Sequence, residues 1–217
     1  ANKEVPCEVL GSFPDPAKQF ARGAPVFVSL NRFERKKMME VAILALAEMR
    51  DSEETSAAAK SSNLIIAGGY DSRLPENVEY LEELRDLAAS RGVGDSVVFM
   101  PNYSSEDREK LLQASTAVVY TPPNEHFGIV PLEAMASGRP VIACNSGGPR
   151  ESVVHGTTGY LCDPTAHSFA EAMARLADTP APRRNEMGLE ARRRVEEHFS
   201  RSRLGDDIED AIKSLFY

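Results

Sequence analysis

Five short runs of aliphatic and β-branched residues recur along the chain: VFVSL (26–30), LIIAGG (64–69), VVFM (97–100), AVVYT (117–121) and VIAC (141–144). Helical patterns separate them. That alternation is the mark of βαβ units on a parallel sheet buried on both faces, so it predicts an α/β, doubly wound fold. The clearest helical segment, KKMMEVAILALAEMR, repeats Met38, Val41, Ala42, Ala45, Leu46 and Met49 at steps of three and four, an apolar stripe suited to packing on a sheet. PENVEYLEELRDLAASRG carries Val78, Leu81, Leu84, Leu87 and Ala88 on one face and stops at Gly92. Between the two, DSEETSAAAKSSN is small and polar and reads as a surface loop or insertion.

From Pro164 onward three further helical segments follow, TAHSFAEAMARLAD, RRNEMGLEARRRVEEHF and RSRLGDDIEDAIKSLF. The basic run ARRRVEEHFSRSR is interleaved with glutamates, and four-residue charge pairing makes it a solvated helix face rather than a membrane or RNA surface. Residues 1–22, with Pro6, Gly11, Pro14 and Pro16, read as a linker or crossover segment, and residues 23–217 as the folded domain.

The chain has 217 residues, 42% of them hydrophobic, enough for one sizeable core. Its net charge of -8 argues against nucleic acid as the main partner, so any anion site must be local. Cys7, Cys144 and Cys162 make an odd count without metal-ligand spacing, which indicates neither a disulfide framework nor a zinc site. No stretch approaches the roughly 20 apolar residues of a spanning helix, and the opening ANKEVPCEVLG has neither Met nor a signal-peptide core. The chain reads as a soluble piece of something longer.

In an open parallel sheet, ligands bind beyond the carboxyl ends of the strands. The loops there are NRFERKK, GGYDSR, PPNEHFG and NSGGPRES. Pro131 suits the first turn of a short helix over about Val130 to Ser137, and Gly138 suits its end. The amides of the FGIV segment and the helix dipole make an anion seat at its start, with Gly128 allowing close approach. Glu125 precedes that helix and Glu133 falls in its first turn, so the two carboxylates bracket the seat. Carboxylates beside an anion fit a ligand with hydroxyl-bearing groups on either side of a phosphate, as in a nucleoside diphosphate sugar. Arg32, with Lys36 or Lys37, supplies the compensating charge.

Plainer readings stand beside these. Glu133 taken singly is a glutamate favoured by the helix dipole. Arg32 taken singly is a surface charge, and His126 has a positioning role rather than a metal-ligating one. Gly68–Gly69 and NSGGP are also consistent with tight turns. A carboxylate-pair hydrolase is a further alternative, since sequence spacing does not fix the distance between the two groups, although a neutral glycoside would not need the cations and amides. A non-catalytic nucleotide- or sugar-binding module is another. Neither a P-loop nor a G-x-G-x-x-G fingerprint is present.

NRFERKK, LIIAGGYDSR, VVFMPNYSSEDREKLLQAS and VYTPPNEHFGIVPLEAMASGRPVIACNSGGPRESVVHGTTGYLC together resemble the C-terminal, donor-binding half of the retaining GT-B glycosyltransferases of the E-x7-E family. The wording NEHFGIVPLEAM is most similar to the mannosyltransferase branch that acts on dolichol-linked oligosaccharide. The resemblance implies a Rossmann-like nucleotide-sugar-binding domain, GDP-mannose as donor and a lipid-linked mannosyl glycan as acceptor. It also implies retention at the anomeric carbon, no metal cofactor, and work at the cytosolic face of the endoplasmic reticulum, with membrane contact through other parts of the protein. Under it Glu125 holds hydroxyls of the transferred sugar, Glu133 holds the ribose, and Arg32 and Lys37 neutralise the diphosphate and stabilise the departing GDP. Phe127, Gly128, Ile129 and Val130 supply backbone donors, Gly68 and Gly69 line the donor, and Met100 with Pro101 lies by the base. Because a GT-B site is a cleft between two domains, a chain without the acceptor-binding half is expected to bind nucleotide weakly and to transfer no mannose alone.

Overall fold

The computed structural model describes residues 23–216. The expected linker over 1–22, with Cys7, lies outside them. All five expected strands form: β1 Val26–Leu30, β2 Asn63–Gly68, β3 Val97–Pro101, β4 Ala117–Tyr120 and β5 Val141–Cys144. The pattern reading misses a sixth, β6 Gly159–Cys162, because GYLC has no β-branched residue. It pairs in parallel with β5, Cys144 opposite Cys162. Gly159 is required there, since a Cβ would come within 1.9 Å of the Val141 carbonyl oxygen.

The strands run in the order β3-β2-β1-β4-β5-β6, every pairing parallel. The chain builds outward from β1 through β2 and β3, then returns to place β4 on the other side of β1. Connections diverge at that point, and a crevice opens beyond the ends of β1 and β4.

Helices cover both faces. On one side lie α1 (Glu40–Asp51), the single turn α2 (Ala57–Lys60) and α3 (Pro75–Ser90). On the other lie α4 (Ser105–Ala114) and α5 (Ile129–Ala136). The turn α6 (Pro149–Ser152) precedes β6, and α7 (Ala166–Asp178), α8 (Ala181–His198) and α9 (Arg201–Phe216) close the chain. The strands' alternate side chains feed two cores. Phe27, Leu64, Ile66, Val119 and Ile142 meet α1, α3 and α7 through residues such as Ile43, Leu46, Leu84 and Phe169. Val28, Leu30, Ile65, Val118 and Ala143 meet α4, α5 and α8 through Leu111, Leu112, Met135 and Ala191. Burial on both faces is why the strand sequences are apolar runs rather than alternations.

Three readings of the helices need correction. The apolar stripe starting at Met38 begins outside the helix: Arg35–Lys37 form a 3-10 turn, Met38 is left-handed at φ 48°, and α1 starts at Glu40. Val78 on α3 is 36% exposed, and Tyr80 is buried instead because its hydroxyl accepts the Met39 amide at 2.8 Å and bonds Glu40. The polar stretch DSEETSAAAKSSN contains α2, whose N-cap Ser56 accepts from the Ala59 amide at 3.1 Å while Ala59 is fully buried. The tail and its charge pairing follow expectation: Arg192 pairs with Glu196 at 2.9 Å and Arg193 with Glu190.

Candidate functional site

A cavity of about 260 Å³ lies beyond the carboxyl ends of β1 and β4. It brings together Arg32, Lys37, Gly69, Glu125, Gly128, Ile129 and Val130, seven of the residues the sequence singles out. Leu30, Asn31, Tyr103 and Tyr120 complete the lining. At its centre Lys37 Nζ lies 2.5 Å from Glu125 Oε2, and the Tyr120 hydroxyl donates to the same oxygen at 3.1 Å. The Lys37 side chain is only 14% exposed. The lysine, foremost by its hydrogen bond, holds the Glu125 carboxyl below the usual carboxylate range, so the group is ionised near neutral pH. Burial, with the Glu125 charge beside it, pushes the Tyr120 phenol well above its ordinary range and keeps it a donor.

The loop that carries Lys37 is fixed on both sides. Asn77 of α3 donates to the Phe33 carbonyl at 2.9 Å, and Arg35 bonds Glu76 through its amide and Glu83 through its guanidinium, at 3.0 Å and 2.6 Å. Just past β4, the Thr121 hydroxyl donates to the Lys37 carbonyl at 2.7 Å. The 3-10 turn and the left-handed Met38 turn Lys37 into the crevice. Lys36 stays 66% exposed and pairs with Glu34 at 2.9 Å. Sequence alone leaves Lys36 and Lys37 equivalent; the turn decides between them. Arg32 reaches the cavity rim, 67% exposed, 3.3 Å from Glu34.

The loop that carries Glu125 is held by NSGGP. The Gly148 amide donates to the Glu125 carbonyl at 2.9 Å and the Ser146 hydroxyl accepts the Asn124 amide at 2.9 Å. A Cβ on Gly147 or Gly148 would lie 2.2 Å from the Glu125 carbonyl oxygen or 2.1 Å from that of Phe127. These glycines therefore admit the protein's own backbone. Gly68 behaves alike, since a Cβ there would meet the Asn31 carbonyl oxygen at 1.5 Å, whereas Gly69 faces Arg32 and lines the cavity.

Helix α5 begins at Ile129 behind Gly128, which sits at φ 77°. Its first amides have no intrahelical acceptor and face the cavity end with the positive pole of the dipole. Pro131, as the third residue, removes an amide that would also lack a partner. Glu133 is the fifth residue, in the second turn rather than the first. It lies outside the 260 Å³ cavity, bonded to Arg108 of α4 at 2.5 Å, and borders a second, mainly apolar cavity of about 490 Å³ with Phe127, Ile129, Leu132 and Phe199. Phe127 is half-exposed, its ring 6.2 Å from that of Phe199. Met100 is buried at 8% exposure in the core with Ala67 and Leu111 and does not line the first cavity. Leu30, Asn31, Tyr103 and Tyr120 of the cavity lining, and Arg108 beside Glu133, are the residues that sequence reasoning misses. Tyr120, the last residue of a recognised strand, was open to detection because strand ends face the crevice.

This parallel sheet, with its crevice at β1 and β4 and a charged pair at the mouth of α5, is the Rossmann-like half of a GT-B glycosyltransferase fold. The sequence matches the family described as Glycosyl transferases group 1 over residues 14–194. The chain belongs to that family. It is 46% identical over 175 residues to the alpha-1,3/1,6-mannosyltransferase ALG2 of Homo sapiens, covering 81% of this chain and 42% of the relative. With ALG2 of Dictyostelium discoideum it shares 41% over 192 residues, 87% of this chain and 46% of the relative. Among solved structures, sucrose-phosphate synthase from Thermosynechococcus elongatus superposes with a TM-score of 0.74 at 27% identity, over 89% of this chain and 46% of that one. The chain spans about half the length of the curated relatives it matches. Among the described residues no helix is long and apolar enough to cross a membrane.

Proposed function

We propose that this chain is the donor-binding half of a retaining mannosyltransferase that takes mannose from GDP-mannose and passes it to a lipid-linked mannosyl-chitobiose acceptor on dolichol diphosphate. The names of the relatives support the sugar and the linkages. The observation that carries the reading is the Lys37–Glu125 pair at the mouth of α5. A single cavity there offers a cation and free amides for a diphosphate, and a carboxylate for neutral hydroxyls.

In this reading the diphosphate lies between Lys37, Arg32 and the amides of Ile129 and Val130, and Glu125 accepts hydrogen bonds from the mannose. Glu133, steadied by Arg108, takes the ribose at the far side. As the bond from the anomeric carbon to phosphate breaks and one to the acceptor oxygen forms, negative charge builds on GDP, whose departing phosphate oxygen takes the proton that the acceptor hydroxyl loses. Lys37 and Arg32 stabilise that charge where it develops. Protein groups thus supply the charge compensation, and no metal is required. The acceptor and the membrane contact at the cytosolic face of the endoplasmic reticulum belong to the complete protein.

Calorimetry with GDP, GDP-mannose, UDP and free mannose tests this. The guanine ligands are expected to bind, GDP-mannose more tightly than GDP, with Lys37→Ala costing about 100-fold in both. Binding of free mannose without GDP would overturn the reading in favour of a hydrolase.

A further inference from the structure

The Glu125 carboxylate has two donors on the same oxygen. Lys37 Nζ and the Tyr120 hydroxyl both meet Oε2, and neither contact involves Oε1. The two donors differ in how firmly they are built in. Lys37 is a flexible stem on a loop, with a charge that a diphosphate entering the cavity would also attract. Tyr120 ends β4, where pairing with Ala143 fixes its backbone, and it is only 3% exposed. Its ring also underlies the start of α5: a Cβ on Gly128 would come 3.3 Å from Tyr120 Cε1. The tyrosine therefore ties the carboxylate to the helix end by a rigid path that an anion does not compete for.

Resting on the donor-binding reading, we propose that Tyr120 is a positioning residue for Glu125: it keeps Oε2 anchored while Lys37 turns toward the diphosphate, leaving Oε1 aimed at the sugar hydroxyls. The bound sugar then gains a fixed acceptor at the moment the lysine is engaged elsewhere. Without the tyrosine hydroxyl, a carboxylate freed by Lys37 swings, and the sugar loses its partner while the nucleotide does not.

Titration calorimetry of the 217-residue chain with GDP and GDP-mannose, in the parent and in Tyr120→Phe, tests this. Phenylalanine keeps the ring against Gly128, and a thermal melt confirms that the variant is folded. GDP affinity is expected to change by less than about twofold, while GDP-mannose affinity falls about tenfold, erasing most of the sugar's contribution. A variant that retains the preference for GDP-mannose over GDP overturns the proposal. Equal weakening of both ligands also overturns it, because that is what a merely structural tyrosine would do. If the parent binds neither ligand, the donor-binding reading itself fails and this proposal falls with it.

Discussion

Glu125 and Glu133 flank one short helix and each is paired with a cation, yet their surroundings differ. Glu125 sits in a cavity where Lys37 and Tyr120 converge on one oxygen, on a loop braced by Gly147 and Gly148. Glu133 rides on α5 itself, bonded to Arg108 of α4 beside an apolar cavity. One carboxylate is fixed by tertiary contacts from two loops and the end of β4, the other by a helix and a single neighbour. The contrast teaches that the Glu125 side is the more demanding construction and the more easily broken.

The largest effect is expected at the brace. In Gly148→Ala the new Cβ would enter the Phe127 carbonyl, so the 124–127 loop must move, at a cost of about 2–4 kcal/mol. Denaturant melts should show that loss, and calorimetry should show donor binding falling with it. A stable variant with unchanged binding would mean that the loop tolerates displacement and that Glu125 is less constrained than the geometry indicates.

The carboxylates themselves separate at a smaller scale. Glu125→Gln is expected to weaken GDP-mannose about tenfold and to leave GDP nearly unchanged, while Glu133→Gln weakens both ligands by a similar, smaller factor of about three to five. Affinity ratios measured on the two variants check this. Equal effects on GDP-mannose over GDP would erase the assignment of sugar to one glutamate and ribose to the other.

The smallest effect concerns pH. Lys37 holds the Glu125 carboxyl below its ordinary value near 4.5, so the ion pair is complete above that value and is lost only as pH falls through the depressed one. In the unliganded chain the Glu125 carboxylate should therefore stay ionised from about pH 7 down past 4.5, and in Lys37→Met its titration should move to higher pH. NMR titration of the Glu125 carboxyl carbon in both chains measures this.

The contrast also shows which parts of the site the sequence could reveal. The strands and the phosphate-facing end of α5 are local matters of apolar runs, Gly128, Pro131 and Gly138, and they emerge from pattern alone. The choice of Lys37 over Lys36 is not local, because it depends on a 3-10 turn anchored to α3 by Asn77, Tyr80 and Arg35. Gly147 and Gly148 announce a close approach, but a sequence does not say what approaches; the visitor is the Glu125 loop. Arg108 and Glu133 meet only because α4 and α5 pack on the same face of the sheet. The edge strand β6 escapes because glycine and cysteine give it no strand signature, although Gly159 is indispensable to its pairing.

The most direct test of the account is a crystal structure of this chain with GDP bound. The diphosphate is predicted between Lys37 Nζ and the amides of Ile129 and Val130, with the ribose toward Glu133. A diphosphate seated anywhere else, with Lys37 still closed on Glu125, would contradict it.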